Sequence, residues 1–362
     1  YFTNGKVFRF ENKTFEGHSL TVNASQRVDT FTGTCTIDDL RVIPNGAALF
    51  KGSPQFNPAN STAARTYCGK RWTFLTTEAS PFGFLGSPTA GNDGSTHIVR
   101  ANIFGHTDAC IAIACQTPKT QGELPVEVRL LGDASAYFGL VRMVDSAKLC
   151  LGNTGLGGTV RMEASDDLLT TAATNGACVR LPRLVTLAAA TVEIPGTNEL
   201  AVTEGLSLAD VLTKTGPGVL AVGGASATTG GSLLVAEGDL KPLSRGAVGE
   251  LSVTFAAGAG VRLDWAPSDP EVAARGLDLT ASAFTVAGST LSFAFDFDGA
   301  APTRTRKVLC TVADADAPKL RDRIVVRKPS KGFMATVGSA SDGETTTFYA
   351  DVAETGLVLV FR

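Results

Sequence analysis

The sequence predicts an all-β chain wound into a parallel β-solenoid, or β-helix, with a more antiparallel capping region at its C-terminal end. Residues 212–240 read LTKTGPGVLAVGGASATTGGSLLVAEGDL, in which two short apolar runs are separated by small residues and glycines. This pattern of strand, turn, strand and turn has no helical period. The composition also favours a β-solenoid, since the 362 residues include 39 Gly and only 19% are charged.

A weaker second copy of the same unit lies earlier in the chain. Residues 132–139 read GDASAYFG and residues 223–230 read GGASATTG, so the two segments are identical at most positions. Each copy lies between a preceding and a following apolar run. Repetition favours a solenoid, which adds rungs to one continuous core, at roughly 20 to 30 residues per coil.

The repeat unit resembles a known family, the passenger-associated or autotransporter-associated β-strand repeat. Its pattern of L-x-K-x-G-x-G-x-L followed by V…G-x-L matches Leu212, Lys214, Gly216, Gly218, Leu220, Gly223, Gly230, Val235, Gly238 and Leu240. Thr228 departs from the pattern, because the family has an aromatic residue there, whereas Tyr137 fills that position in the first copy. The resemblance implies a right-handed parallel β-solenoid carried outside a bacterial cell as a stalk or passenger of a surface protein.

Changes in residue composition and in the pattern of apolar residues divide the chain into four parts. Residues 1–50 read as N-terminal solenoid coils, and residues 51–95, rich in Pro, Asn, Ser and Gly, as an excursion loop. Residues 96–240 read as a β-solenoid with repeat units. Residues 241–362 alternate more strictly and read as a C-terminal β region and cap, closed by a hairpin turning at residues 354–356.

The excursion loop supplies the candidate binding site, because binding residues are frequently carried on long loops. Tyr67, Trp72 and Phe74 could stack on sugar faces, and Arg71 could hydrogen-bond a glycan carboxylate. The alternative is that these rings pack the loop against the solenoid. Surface polysaccharide is therefore one predicted partner.

The seven cysteines predict neither a metal site nor a certain disulfide. No C-x-x-C pair occurs and the chain has only three His, so zinc has few ligands. Residues 296–299, DFDG, fall short of a calcium loop, and we expect no cofactor. The sequence separation of Cys150 and Cys178 is close to one rung, so they could stack on adjacent coils and form a disulfide; buried or lone thiols are the alternative.

Charge and hydropathy argue against two classes of partner. The formal net charge is −3 and the pI about 5.7, so we expect no nucleic-acid binding. No run approaches the roughly 18 apolar residues needed to cross a bilayer, so we expect no membrane insertion. The chain begins at Tyr1 without a signal-like segment, as expected of a mature piece or a fragment.

These observations favour a non-enzymatic protein located outside the cell or on a bacterial cell surface. No nucleophile elbow, phosphate loop or metal-binding helix motif is present, and we predict no catalytic residues. The leading hypothesis is a stalk, an adhesin-like module or a presenting passenger. An alternative is a structural subunit whose copies stack end to end into an extracellular filament. A third is a polysaccharide-active β-helix enzyme, which the fold by itself permits.

Overall fold

The chain folds as two units built mainly of parallel β-strands. The computed structural model describes residues 8–10, 14–22, 27–30, 33–44, 46–49, 55–58, 64–86, 95–115, 126–172, 176–265, 275–297, 305–327 and 333–354. One unit comprises Tyr1–Ala201 with Ala209–Leu212, and the other comprises Val202–Leu208 with Thr213–Arg362.

The strands up to residue 202 are short, and their bounds follow in chain order. They are β1 Phe8–Phe10, β2 Thr14–Val22, β3 Arg27–Thr30, β4 Gly33–Val42, β5 Gln55–Pro58, β6 Arg65–Cys68, β7 Arg71–Phe74, β8 Phe82–Leu85, β9 Thr96–Val99, β10 Ile103–Gly105, β11 Cys110–Ala114, β12 Val126–Leu130, β13 Leu140–Val144, β14 Ala147–Leu151, β15 Thr159–Met162, β16 Leu168–Thr171, β17 Cys178–Leu181, β18 Arg183–Thr186, β19 Ala190–Glu193 and β20 Glu199–Val202.

Parallel pairing between successive coils builds the first unit. One sheet has the order β1-β3-β5-β8-β11-β13-β15-β18. A second has the order β10-β7-β4-β6-β9-β12-β14-β16-β19, with β2 also paired to β4, and β17 neighbours β20 in a third. Pairing is parallel at each register that defines the first two sheets. The predicted parallel β-solenoid is therefore confirmed.

Stacked apolar side chains fill the interior. Leu149 of β14 is the register partner of Leu169 of β16, which in turn pairs with Val192 of β19 at the corresponding position. All three are 0% exposed. Burying a residue of this kind contributes about 1.5–3 kcal/mol. Side chains alternate between inside and outside along each strand, and the inward positions are aligned from coil to coil. The inward-facing residues of these coils therefore form one continuous core.

The two sequence copies make equivalent turns. Gly132 donates its amide to the carbonyl of Val99 at 3.1 Å, and Gly223 donates to Val202 at 2.8 Å. A Cβ at either glycine would collide with a carbonyl oxygen of the preceding coil. Tyr137 Oη donates to the carbonyl three residues later at 3.0 Å, and Thr228 Oγ1 does so at 2.9 Å. Thr228 therefore replaces the hydrogen bond of the aromatic residue but not its ring.

The strands from residue 206 onward follow in chain order. They are β21 Leu206–Leu208, β22 Val211–Thr215, β23 Val219–Val222, β24 Ala227–Thr228, β25 Ser232–Val235, β26 Asp239–Pro242, β27 Ser252–Phe255, β28 Gly260–Asp264, β29 Leu277–Asp278, β30 Phe284–Val286, β31 Leu291–Asp296, β32 Thr305–Ala313, β33 Ile324–Val326, β34 Phe333–Ser341 and β35 Thr345–Glu354, with a 3-10 turn at Asp314–Lys319.

The second unit continues the parallel pattern beyond residue 240. Its strands β23-β26-β28-β31-β33 pair in parallel, as do β25-β27-β30 and β21-β24. Antiparallel pairing occurs where β35 lies between β32 and β34, and β29 joins β32 in parallel. The antiparallel cap is confirmed, but its antiparallel strands begin at Thr305 and not near residue 241. Its hairpin turns at residues 342–344. Of the turn predicted at 354–356, Glu354 is the last residue of β35, and the other two residues lie outside the described ranges.

The predicted excursion loop is wrong for the described part of residues 51–95. The strands β5, β6, β7 and β8 lie in the two sheets of the first unit. Their mostly polar connections gave the stretch its loop-like composition. The strands themselves are short but regular.

The predicted disulfide between Cys150 and Cys178 is also wrong, and all seven cysteines are free. Cys150 lies on β14 in one sheet, and Cys178 lies on β17 in another. Residues of different sheets are not stacked on one another, so a sequence separation close to one rung does not bring the two thiols together. Cys150 is buried and Cys178 is exposed.

Candidate ligand-binding groove

The three aromatic rings predicted to bind sugar lie in the core. Trp72 and Phe74 are 0% exposed and Tyr67 is 1% exposed. The Tyr67 ring stacks on Phe56 with centroids 4.7 Å apart, and Trp72 Nε1 donates a 2.9 Å hydrogen bond to the carbonyl of Ile37. A sugar cannot reach these rings, so the glycan-stacking role predicted for them is wrong.

The remaining predicted residue, Arg71, points to the outside of the same strand. Side chains alternate along β7, so Trp72 and Phe74 face the interior while Arg71 and Thr73 face outward. Arg71 is exposed, and its guanidinium lies 5.2 Å from the centroid of the Phe104 ring. A site involving Arg71 must therefore be built on the outer face of this sheet.

Two rows of outward side chains cross this face. In the first row, Ser19 of β2 pairs with Asp39 of β4, which pairs with Arg71 of β7. The second row follows the same three strands and continues onto β10. Its aligned residues, in that strand order, are Thr21, Arg41, Thr73 and Phe104. The parallel register thus brings together residues from four separate strands that are distant in sequence.

These rows border an open groove of about 430 Å³, whose lining residues are Ser19, Thr21, Asp39, Arg41, Arg71, Thr73 and Leu75. Asp39, Arg41 and Arg71 are exposed, and Phe104, beside the groove, is partly exposed. The groove therefore combines a carboxylate, two guanidinium groups, hydroxyl groups and an apolar rim.

The two arginines of the groove lack ion-pair partners among the described residues. Neither Arg41 nor Arg71 has an ion pair there, whereas Asp39 accepts a 3.3 Å hydrogen bond from Ser19 Oγ. A guanidinium presents a planar array of donors that suits a carboxylate. The groove therefore carries a local excess of positive charge in a chain whose formal net charge is −3.

A nearby ion pair is already satisfied and does not extend the groove. Asp38 accepts hydrogen bonds from Lys70 Nζ at 2.8 Å and from the amide of Gly17 at 3.0 Å. The bond from Lys70, helped by that from Gly17, lowers the pKa of Asp38 below its usual value. The register between β2 and β4 shifts between Phe15 and Ser19, and Asp38 holds the two strands together at this irregularity through Gly17.

A buried polar pair lies in the core of the same unit. Tyr67 Oη lies 3.0 Å from His97 Nδ1, and His97 Nε2 lies 3.0 Å from the carbonyl of Leu85. Because a carbonyl only accepts, Nε2 carries the proton and Nδ1 accepts the hydroxyl proton of Tyr67. Burial lowers the pKa of His97 to about 4, and the nearby charge of Arg65 adds to this. His97 is a neutral core residue.

A second charged cluster in the first unit is internally neutralised. Glu163 receives hydrogen bonds from Arg142 Nε and Nη2 at 2.7 and 2.9 Å and from Arg161 Nε at 2.7 Å, and Arg161 also reaches Glu78. Burial raises the pKa of Glu163, but its bonds to the arginines outweigh this and the pKa is lowered. The cluster links the neighbouring strands β13 and β15.

The outer face of β26, β28 and β31 in the second unit carries a comparable network. Lys241 Nζ lies 2.8 Å from Asp264 and 3.2 Å from Asp296, which are register partners on adjacent coils. Arg262 bridges Asp296 and Asp239, at 3.3 Å in each case. Each of these carboxylates faces a cation, which offsets the repulsion between stacked acids. The arrangement serves to hold coils together and leaves none of the three as an unpaired base.

The described residues contain no group of three or more His, Cys, Asp or Glu side chains that could hold a metal ion. Within the same described ranges, no helix has the length and apolar character needed to cross a membrane. Of the adjacent carboxylates Asp166 and Asp167, Asp167 is 1% exposed and accepts hydrogen bonds from three backbone amides, those of Ala147, Glu163 and Ala164.

Sequence reasoning missed the partners of Arg71 in the groove. The alternation in residues 71–74, RWTF, was a signal that Arg71 faces away from Trp72. Nothing comparable pointed to Asp39, Arg41 or Phe104, because the number of residues between stacked positions varies from coil to coil.

Comparisons with known proteins identify no relative: no family model, no curated protein and no solved structure matches this chain.

Proposed function

We propose that this chain is a non-enzymatic β-solenoid module of an extracellular or cell-surface protein, acting as a stalk or adhesin-like passenger that binds an anionic polysaccharide. The observation that carries the proposal is the pair of exposed arginines, Arg41 and Arg71, in an open groove on a regular sheet face. The fold and the repeat unit in residues 212–240 support the extracellular setting, which remains part of the proposal.

The chemistry of the groove favours sugars that carry carboxylates. Arg41 and Arg71 can each donate to a uronate carboxylate, and hydrogen bonds to charged groups contribute about 1.5–3 kcal/mol. Phe104 and Leu75 offer apolar contact to a sugar ring, and Asp39 can accept from sugar hydroxyls. A chain of repeating uronates also suits a groove formed by repeating coils.

The test is the binding of polygalacturonate, with neutral dextran as the comparison polymer, measured by isothermal titration calorimetry. We expect polygalacturonate to bind, with an affinity that falls as salt rises because the contacts are exposed. Arg71→Ala and Arg41→Ala should each weaken binding about tenfold. Arg245→Ala is the matched control, since Arg245 is a highly exposed arginine outside the groove.

Two outcomes would contradict the proposal. Equal binding of dextran and polygalacturonate would show that the arginines do not distinguish a charged polymer from a neutral one. Unchanged affinity in the double variant Arg41→Ala/Arg71→Ala would place any binding site elsewhere.

A further inference from the structure

Among the described residues, the antiparallel sheet of the second unit ends in an edge strand, β34. β34 pairs with β35 over nine successive residues, from Phe333 opposite Glu354 to Ser341 opposite Thr346. No other described strand pairs with β34, which is the last strand of the order β29-β32-β35-β34. No described strand therefore pairs with its outer row of backbone amides and carbonyls, which could pair with a strand of another molecule.

This edge lacks the features that usually protect a free strand. Residues 333–341 read FMATVGSAS, with no charged residue and no proline, and the register with β35 has no bulge. In the same unit, the terminal strands of the parallel sheets are only two or three residues long, as in β24, β30 and β33. Short strands limit pairing between molecules, but a strand as long as β34 does not.

Exposed apolar groups lie beside the same edge. Met334 on β34 is 55% exposed, and Val325 on β33, which contacts β34, is 45% exposed. A cavity of about 230 Å³ opens next to the strand and is lined by Val337, Ser339 and Phe348, among others. Pairing along this edge would cover part of this apolar surface.

We propose that β34 pairs antiparallel with β34 of a second copy of this chain, so that two four-stranded sheets join in a two-fold symmetric dimer. A neutral strand can lie against itself without bringing like charges together. If the overlap is complete, Val337 lies at the centre, and its half-buried side chain becomes covered. The contact is isologous and closes as a dimer, unlike the end-to-end filament considered from the sequence.

The experiment combines light scattering after size exclusion with hydrogen exchange of the full chain over a wide concentration range. We expect a mass of twice 37.5 kDa at high concentration. Amides within residues 334–340 should gain protection as the concentration rises, and those of β32 should not. Thr336→Lys, on the exposed face of β34, should weaken the dimer at least about tenfold, because edge lysines oppose strand pairing.

Thr347→Lys is the matched control, since Thr347 belongs to the internal strand β35, where both edges are already paired. It should leave the dimer intact. Hydrogen exchange in β32 and β35 separates loss of the dimer from loss of the fold in either variant. A monomer at every concentration would overturn the proposal. So would equal dimerisation of the two lysine variants, or a dimer without added protection in β34.

Discussion

The ammonium group of Lys214 donates a 2.6 Å hydrogen bond to the backbone carbonyl of Glu237 on the following coil. It also donates to the carbonyls of Gly216 and of Gly218, the latter at 2.6 Å. The Lys214 side chain is 0% exposed, and burial lowers its pKa to about 8, so at pH 7 the group remains mostly protonated. All three of its N–H groups are then satisfied.

This arrangement gives a physical reason for the lysine of the L-x-K-x-G-x-G pattern and for the later glycine, Gly238. The carbonyls of Gly216 and Gly218, which accept hydrogen bonds from the ammonium group, lie in the turn after β22. The third acceptor, the carbonyl of Glu237, lies in the turn after β25. Gly238 has a φ of +72°, and a Cβ there would collide with Lys214 Nζ. The pattern therefore describes a lysine that ties two neighbouring coils together. Membership of the repeat family stays a prediction.

Replacing Lys214 with Met should destabilise the protein by about 2–4 kcal/mol, because three buried carbonyls lose their donor while the apolar volume is kept. The urea midpoint and slope, followed by circular dichroism, measure the change. Lys148→Met is the control, since Lys148 is partly exposed and pairs with Glu127 at 3.4 Å; it should cost less than about 1 kcal/mol. Equal losses in the two variants would contradict the structural role of Lys214.

Much of the fold was predictable because each coil buries its own short apolar run. The runs at residues 219–222 and 233–235 became β23 and part of β25, and both are paired in parallel. The sequence separation of stacked positions such as Leu220 and Leu240 agrees with the predicted coil length. The alternation of apolar and polar residues and the length of a coil can both be recognised in short stretches of sequence. These two local signals were sufficient to predict the fold class.

The site was not predictable to the same degree, because it depends on register between coils. Asp39 and Arg71 are much further apart in sequence than Ser19 and Asp39, although each pair is aligned across neighbouring strands. Connections of variable length hide this alignment in the sequence. The aromatic residues near Trp72 were read as loop residues because the polar connections outweighed the short strands in composition.

Acid should destabilise the protein through His97. Its pKa is about 4 in the folded state against an ordinary value of 6.5, so the unfolded chain binds the proton more readily. Stability is therefore full above pH 6.5 and is lost as the pH falls toward 4. Between pH 7.5 and pH 5, His97 should account for a loss of about 2 kcal/mol.

The measurement compares urea unfolding of the wild type and of His97→Gln at both pH values. The variant is expected to be less stable at pH 7.5, because Tyr67 and Leu85 lose a partner, but its stability should fall less with acid. His106→Gln is the control, since His106 is exposed. An identical pH dependence in the wild type and His97→Gln would refute the assignment.

Thiol reactivity should follow burial, since no disulfide is present. Cys178 is exposed, whereas Cys110 and Cys150 are buried, and burial raises the pKa of their thiols to about 12 and about 11. Because the thiolate is the reactive form, buried thiols should react slowly. Cys68 is partly exposed. Titration with a chromogenic disulfide reagent should therefore give a fast phase in the native protein that loses the contribution of Cys178 in Cys178→Ser, and seven thiols after denaturation in urea. In Cys178→Ser, Cys68 is the one remaining cysteine that is not buried, so fast reaction of more than one thiol in that variant would contradict the packing.

Trp72 and Arg71 are neighbours on β7, and substituting them should affect different properties. Trp72→Ala removes a fully buried ring and the hydrogen bond to Ile37, at a cost of about 3–5 kcal/mol. Arg71→Ala removes an exposed side chain without an ion-pair partner among the described residues, so stability should change by less than about 0.5 kcal/mol.

The milder variant Trp72→Phe keeps the fold testable if Trp72→Ala unfolds. It loses the hydrogen bond to Ile37 and should cost about 1–3 kcal/mol, yet polygalacturonate binding should remain as in the wild type, because the ring does not reach the groove. Arg71→Ala should show the reverse result, with unchanged urea unfolding and weaker binding. Calorimetry and urea titration on the same preparations measure both properties. Loss of binding in a well-folded Trp72→Phe variant that keeps the position of Arg71 would contradict the groove, since a buried indole can influence a ligand there only by moving the strand that carries Arg71.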